Sequence, residues 1–212
     1  TALALFLAVV LHSTPRLQGF FRATMFLPSV TSLIVLALIF SNIYASDGYL
    51  TAICRFLHVP FPVRGWLQDQ ATALPSIMAM DVLIASGYYM VLFLAALQSI
   101  PHDLYEVAAL SGATAWQQFW RITLPMLRPT VLFVLVVNTI RAFQIFVEIY
   151  VMTRGGPLGS TTTLIYSIYA NAFDKSDMMG YACALAYIVF VIVLLFSLAQ
   201  MWLLRANKAV GE

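Results

Sequence analysis

Asp81, Asn138, Arg141, Gln144 and Glu148 stand inside otherwise apolar runs of a 212-residue chain. Ionisable and strongly polar groups at such places are costly unless they face a cavity or a partner, so they mark candidate functional positions. At 100° per residue, Asn138, Arg141, Ala142, Ile145 and Glu148 fall on one helical face with Gln144 at its edge. Measured from outer boundaries at Leu74 and Met152, Asp81 lies about 10 Å deep and Arg141 about 16 Å deep, roughly one helical turn apart. That spacing predicts that the two face one cavity and form a polar gate or binding element, because pairing relieves the cost of burying either charge alone. The blander expectation is that Arg141 pairs with Glu148 of a neighbouring chain and that Asp81 is satisfied by water.

Nothing in this set forms a nucleophile with its base, a carboxylate pair or a metal cluster, so an enzyme working inside a membrane is not indicated. His12, His58 and His102 fall in loops or at span ends, and Cys54 and Cys183 fit no metal-ligand spacing. Both cysteines are expected to be free thiols, and no metal site is expected. No G-x-x-x-x-G-K-[ST] phosphate loop occurs, so the chain has no ATP chemistry of its own.

A second chemistry-bearing segment runs Tyr105-Glu106-Val107-Ala108-Ala109-Leu110-Ser111-Gly112-Ala113, followed after nine residues beyond Gly112 by Ile122-Thr123-Leu124-Pro125. Pro101, Asp103 and Glu106 suit a helix start, where acidic groups meet the positive end of the dipole. Gly112 permits a sharp turn or the close approach of another backbone. Trp116, Phe119 and Trp120 make an apolar face at i, i+3 and i+4 of a second short helix. Pro125 and Pro129 are expected to end that helix and admit the next span.

The elements that must position these groups are membrane helices. Hydrophobic residues make up 62% of the chain and charged ones 9%, against about one quarter charged in soluble domains. The mean hydropathy is +0.89. Four runs reach the length of roughly 20 residues needed to cross the hydrocarbon core: Thr24–Tyr44, Thr72–Gln98, Pro129–Met152 and Gly180–Leu204. Ala2–Leu11 is too short and reads as the inner end of a truncated helix, with N-terminal sequence expected before it. The expected fold class is therefore all-α: a polytopic helical bundle of four complete spans and a truncated fifth, residues 1–212 forming one transmembrane domain. The net charge of +2 is too small and dispersed to imply nucleic acid. Arg16, Arg22, Arg121, Arg128, Arg205 and Lys208 on one side, against Arg55, Arg64, Arg154 and Lys175 on the other, place residues 99–128 in the cytoplasm. Ala45–Ala71, with Trp66 as an interfacial anchor, and Thr153–Met179, with a short interfacial helix in TTLIYSIYANAF, then lie outside.

The Glu106–Pro125 segment resembles the signature of binding-protein-dependent ABC importer permeases, specifically the carbohydrate-uptake branch of the maltose and glycerol-3-phosphate permeases: Glu-Ala-Ala, three residues, Gly, nine residues, Ile-x-Leu-Pro. Glu106, Ala108, Gly112, Ile122, Leu124 and Pro125 match, and Val107 replaces the first Ala. FFRATMFLPS, LAALQSIPHDLYE and FVEIYVMTRGGPLGSTTTLIYSIY extend the likeness over nearly the whole chain. The resemblance implies that residues 99–128 form a coupling loop, with Tyr105, Ala109 and Ala113 beside the matched positions, seated in a groove of a cytoplasmic ATPase dimer that binds ATP and Mg. It implies a homologous second permease, an extracytoplasmic solute-binding protein meeting the Arg154-Gly155-Gly156-Pro157 turn, and a bacterial plasma-membrane location. It implies sugar contacts at Asp81, Ile84, Tyr88, Asn138 and Ala142, with Arg141, Gln144 and Glu148 beside them in the cavity, and no cofactor in this chain. The expected function is a permease subunit passing a sugar or sugar-like solute across the membrane by alternating access. Half of a secondary transporter, or a non-transporting scaffold subunit, shares the composition but not the coupling segment.

Overall fold

The computed structural model describes residues 1–12, 18–175 and 178–206, with only the backbone of 203–206. Arg16, Lys208 and the Arg205 side chain, half of the inner basic set, lie outside the described residues. The described residues fold into helices and loops without a strand. The helices are α1 (Ala2–His12), α2 (Gln18–Val30), α3 (Leu33–Ile43), α4 (Tyr49–Phe56), α5 (Ala73–Gln98), α6 (Asp103–Leu110), α7 (Ala115–Gln118), α8 (Leu124–Phe143), α9 (Val147–Met152), α10 (Leu164–Tyr169) and α11 (Met179–Ala206). π-helical turns follow α7 at Phe119–Thr123 and α10 at Ala170–Asp174.

Among the described residues three stretches are long and apolar enough to cross a membrane: Ala73–Gln98, Ala115–Met152 and Met179–Trp202. A fourth is counted only if α2 and α3 together make one broken span. The expected uninterrupted span Thr24–Tyr44 is thus corrected to two helices parted at Thr31–Ser32. Pro28 has no N–H to donate inside α2, and the hydroxyls of Thr24 and Ser29 bond back to the carbonyls of Phe20 and Phe26, at 3.0 and 2.7 Å. Pro125 sits in the first turn of α8, where its missing N–H is tolerated, as expected of a residue that admits the next span; only the expected stop before it is corrected, because the wide turn at Phe119–Thr123 carries α7 into α8.

The chain forms two compact units. The first comprises Thr1–Ser29, Ile84–Asn138 and the described part of Leu198–Glu212. Its core gathers Ala4, Ala8 and Leu11 of α1 with Tyr89, Met90, Phe93, Leu94 and Leu97 of α5 and Leu127 and Val134 of α8. Ala4 and Ala8, one turn apart and both fully buried, bring the α1 backbone close to its neighbours, the small-residue packing that serves where lipid supplies no hydrophobic drive. Gly87 does the same: a Cβ there would collide with the Met25 carbonyl oxygen.

The second unit comprises Val30–Leu83 and Thr139–Ser197. In it α3 lies against α9 and α4. Trp66 is pinned within the loop: its N–H donates to the Tyr44 carbonyl at 3.1 Å and its Nε1 to the buried Thr51 hydroxyl at 3.2 Å. Within the segment TTLIYSIYANAF a short helix does form, α10, capped by the Thr163 hydroxyl accepting from the Tyr166 N–H.

Candidate functional site

The Glu106–Pro125 segment is built from two helices and a glycine turn. Helix α6 carries Asp103 and Glu106 in its first turn, and Glu106 accepts from His102 Nδ1 at 3.1 Å, both side chains exposed. Its end is closed by a left-handed turn. Gly112 has φ +76°, its N–H donates to the Ala109 carbonyl at 3.0 Å, and the Ala113 N–H donates to the Ala108 carbonyl at 3.0 Å. This paired closure needs a residue at positive φ, which glycine adopts without a Cβ penalty. A Cβ on Gly112 would meet no other part of this chain within 4 Å, so the turn, not internal crowding, accounts for the glycine. Thr114 then starts α7 in a reciprocal cap: its hydroxyl accepts from the Gln117 N–H, and the Gln117 side chain accepts from the Thr114 N–H.

Across the turn, the Tyr105 hydroxyl and the buried Thr123 hydroxyl are 2.9 Å apart, tying α6 to the π-helical turn over 18 residues of sequence. Trp116, Phe119 and Trp120 form the anticipated cluster, with ring centroids 5.6 to 6.3 Å apart. Trp116 is 69% exposed and Trp120 51%, and Val107 and Leu110 are exposed as well, so the segment presents an apolar face. Ile122, Leu124 and Pro125 are half-buried where the segment enters α8.

The polar residues inside the apolar runs divide between the units. Ile84 is buried and Tyr88 exposed on α5, and Asn138 is half-buried on α8; these three belong to the first unit. Asp81, Arg141, Ala142, Gln144 and Glu148 belong to the second. There Arg141 donates through a guanidinium nitrogen to Asp81 Oδ1 at 3.3 Å, the pairing expected from depth, with side chains 37% and 24% exposed. Glu148 is buried and lies within electrostatic reach of both. The expected common face of Asn138, Arg141, Ala142, Ile145 and Glu148 is corrected, because α8 stops at Phe143 and α9 begins at Val147. Ala142 and Gln144 are exposed at this break. Two contacts hold it open: the Gln144 N–H folds back on the Arg141 carbonyl at 3.0 Å, and the Thr163 hydroxyl donates to the Ile145 carbonyl at 3.1 Å. Among the described residues, no group of His, Cys, Asp and Glu gathers that could hold a metal ion.

Beyond α9 the chain makes a braced hairpin that sequence reading missed apart from its glycines. The hydroxyls of Thr153 and Thr161 are 2.7 Å apart, Thr161 donates to the Gly156 carbonyl at 2.7 Å, and Thr162 to the Gly155 carbonyl at 3.3 Å. Phe146, at the helix break, stacks between Tyr150 at 5.5 Å and Tyr166 at 6.4 Å, and meets Tyr169 at 5.0 Å. Hydrogen bonding with Tyr150 pushes the Tyr169 phenol above its ordinary range. The run Thr161-Thr162-Thr163 ahead of an apolar stretch was the legible signal, since a threonine there is a helix cap.

Several apolar helices, a turned amphipathic segment between two of them and a charged cluster at a helix break fit a polytopic membrane transport subunit. The chain matches, over residues 1–207, the family described as the inner membrane component of binding-protein-dependent transport systems, and it belongs to that family. It is thus a multi-pass inner-membrane permease of the ABC importer class. It is 38% identical over 207 residues to the probable ABC transporter permease protein YurN of Bacillus subtilis, covering 96% of this chain and 70% of the relative. It is 34% identical over 209 residues to the lactose transport system permease protein LacF of Rhizobium radiobacter, covering 97% and 70%. Its fold is similar to a bacterial ABC transporter that imports the acidic polysaccharide alginate, with TM-score 0.85 at 22% identity over 96% of this chain and 72% of that one.

Proposed function

We propose that this permease passes a sugar or sugar-like solute, delivered by an external binding protein, and that residues 99–128 couple it to a partner ATPase that binds ATP and Mg. The observation that carries the coupling is the Glu106–Pro125 segment: a capped helix, a left-handed glycine turn and an apolar Trp116–Phe119–Trp120 cluster, its two tryptophans exposed, held to α6 by the Tyr105–Thr123 contact. Such a face on a short polar segment fits a groove of a soluble partner. The sugar reading is supported by relatives whose names specify lactose and alginate. A second, homologous permease completes the cavity in this reading, with Asp81, Ile84, Tyr88, Asn138, Arg141, Ala142, Gln144 and Glu148 contributed by this chain.

Gly112 allows turn and contact to be separated. Gly112→Asp adds charge and bulk where this chain leaves room, whereas Gly112→Asn accepts the left-handed conformation at lower cost. If an ATPase surface lies against Gly112, both variants insert at wild-type abundance, Gly112→Asp abolishes uptake, and Gly112→Asn loses most of it despite keeping the turn. The measurement is receptor-driven uptake and ATP hydrolysis in proteoliposomes holding the whole importer. Wild-type rates for Gly112→Asp would remove the coupling assignment.

A further inference from the structure

Helix α4 is amphipathic in the reverse sense of a helix laid on a soluble core, where the apolar stripe faces inward. At about 100° per residue, Tyr49, Ile53, Phe56 and the adjoining Leu57 share one side, and Thr51 lies opposite them. The polar side is the one turned in. Thr51 is buried, donates its hydroxyl to the Ala45 carbonyl at 3.0 Å and accepts from Trp66 Nε1 at 3.2 Å. The apolar side is turned out, with Tyr49 75% and Phe56 82% exposed and Ile53 and Leu57 exposed as well. Arg55 stands exposed on the flank, its guanidinium over the Phe61 ring at 5.8 Å.

We propose that α4 is an interfacial anchor: its Tyr49–Ile53–Phe56–Leu57 face sinks into the headgroup–acyl boundary of the bilayer, and Arg55 meets the phosphate of an anionic phospholipid. The eight residues of α4 rise about 12 Å against a hydrocarbon core of about 30 Å, so the helix can lie in the boundary but cannot cross it. Its place in the chain sets it at that level. Five residues join it to the end of the apolar helix α3, against which it packs, and α3 exposes Leu38 and Ile39 of its own. Apolar and aromatic side chains on one face with a basic residue at its edge are the pattern of helices that seat in this boundary. The Arg55 stem can lie along the apolar surface while its charge reaches the phosphates. The external binding protein proposed above would be a poorer cover, since a soluble partner that comes and goes leaves four large apolar side chains in water between encounters. The bilayer is permanent, and it supplies the anionic charge that Arg55 complements. Because the Thr72 hydroxyl donates to the Trp66 carbonyl at 2.8 Å, the anchored helix is also tied to the start of α5, and the bilayer surface then fixes the height of that span. None of this depends on which solute is carried.

The test uses the intact importer in vesicles of equal parts phosphatidylcholine and phosphatidylglycerol, with bromine high in the acyl chains of one lipid or the other. In a cysteine-free background that includes Cys54→Ser and Cys183→Ser, an environment-sensitive fluorophore is attached to Ile53→Cys or, separately, to Phe56→Cys, so the loss of one variant leaves the other to decide. Brominated lipid should quench both positions at least twofold, leave a fluorophore on the exposed Gln70→Cys unquenched, and act equally with and without the binding protein. Brominated phosphatidylglycerol should quench Phe56→Cys about twice as strongly as brominated phosphatidylcholine, and Arg55→Gln should bring that ratio to one. Quenching at Ile53 and Phe56 no greater than at Gln70 overturns the anchor, and shows the face covered by protein such as the second permease. Loss of quenching when the binding protein is added overturns it in favour of a receptor contact. Equal quenching by the two lipids with Arg55 intact overturns the phosphate contact.

Discussion

Arg141 pairs with Asp81 and lies within electrostatic reach of Glu148. The formal charges of Asp81, Arg141 and Glu148 leave the cluster with one net negative charge, so removing the three members does not have equal consequences. Asp81→Asn leaves Arg141 with Glu148 and a balanced pair, whereas Arg141→Gln leaves two like charges facing each other, one of them buried. Arg141→Gln should therefore lower the thermal midpoint of the purified permease clearly more than Asp81→Asn. The Asp81–Arg141 contact is about one-third exposed on its own, which weakens it. A double-mutant cycle should still give a coupling of about 0.5–3 kcal/mol. Additive effects, or a larger loss for Asp81→Asn, would show that Arg141 is satisfied elsewhere and leave Asp81 as an independent acceptor for solute hydroxyls.

The same reasoning applies to whole elements at the α9–α10 hairpin. Gly155 has φ +81°, and a Cβ there would stand 2.7 Å from the Tyr166 ring and 3.0 Å from the Thr162 hydroxyl. Tyr166 in turn stacks on Phe146 at the break and donates its hydroxyl to the Arg154 carbonyl at 2.7 Å. The ring is thus a strut from the Arg154–Gly155 turn to the interrupted helix. Gly155→Ala should cost about 1–2 kcal/mol through the left-handed backbone alone and should also displace the strut. The expected sign is faster hydrogen exchange across residues 144–169 with the core of α5 unchanged. Exchange confined to residues 153–157 would mean that the hairpin does not brace the break.

At the scale of the whole molecule, orientation is the property with the widest consequences. The basic residues favour the Glu106–Pro125 side as cytoplasmic, and Cys54, a free and half-buried thiol on α4, then lies outside. In intact cells a membrane-impermeant maleimide should label Cys54. Gln117→Cys in a Cys54→Ser, Cys183→Ser background should stay unlabelled until the membrane is permeabilised. The reverse pattern would overturn the topology and the coupling role together.

Composition, span length and the Glu106–Gly112–Pro125 spacing were legible in the residues because each is a local property. Apolar runs must be helical where water is absent, and a glycine at a helix end needs no distant contact to take positive φ. The Asp81–Arg141 pairing was legible too, since depth in a helix follows from residue count. The break at Gln144–Phe146 was not. Its residues are apolar enough to continue a span, and what stops them is the Thr163 hydroxyl, 18 residues on, taking the Ile145 carbonyl. Pro125 erred in the opposite direction, because a wide turn absorbed a residue that usually ends a helix. The sequence by itself thus determined that the chain is a membrane permease carrying the Glu106–Gly112–Pro125 spacing. Only the tertiary structure decided where its helices break and which hydroxyls meet there, because a backbone carbonyl in an apolar medium goes to whichever donor folding brings within reach.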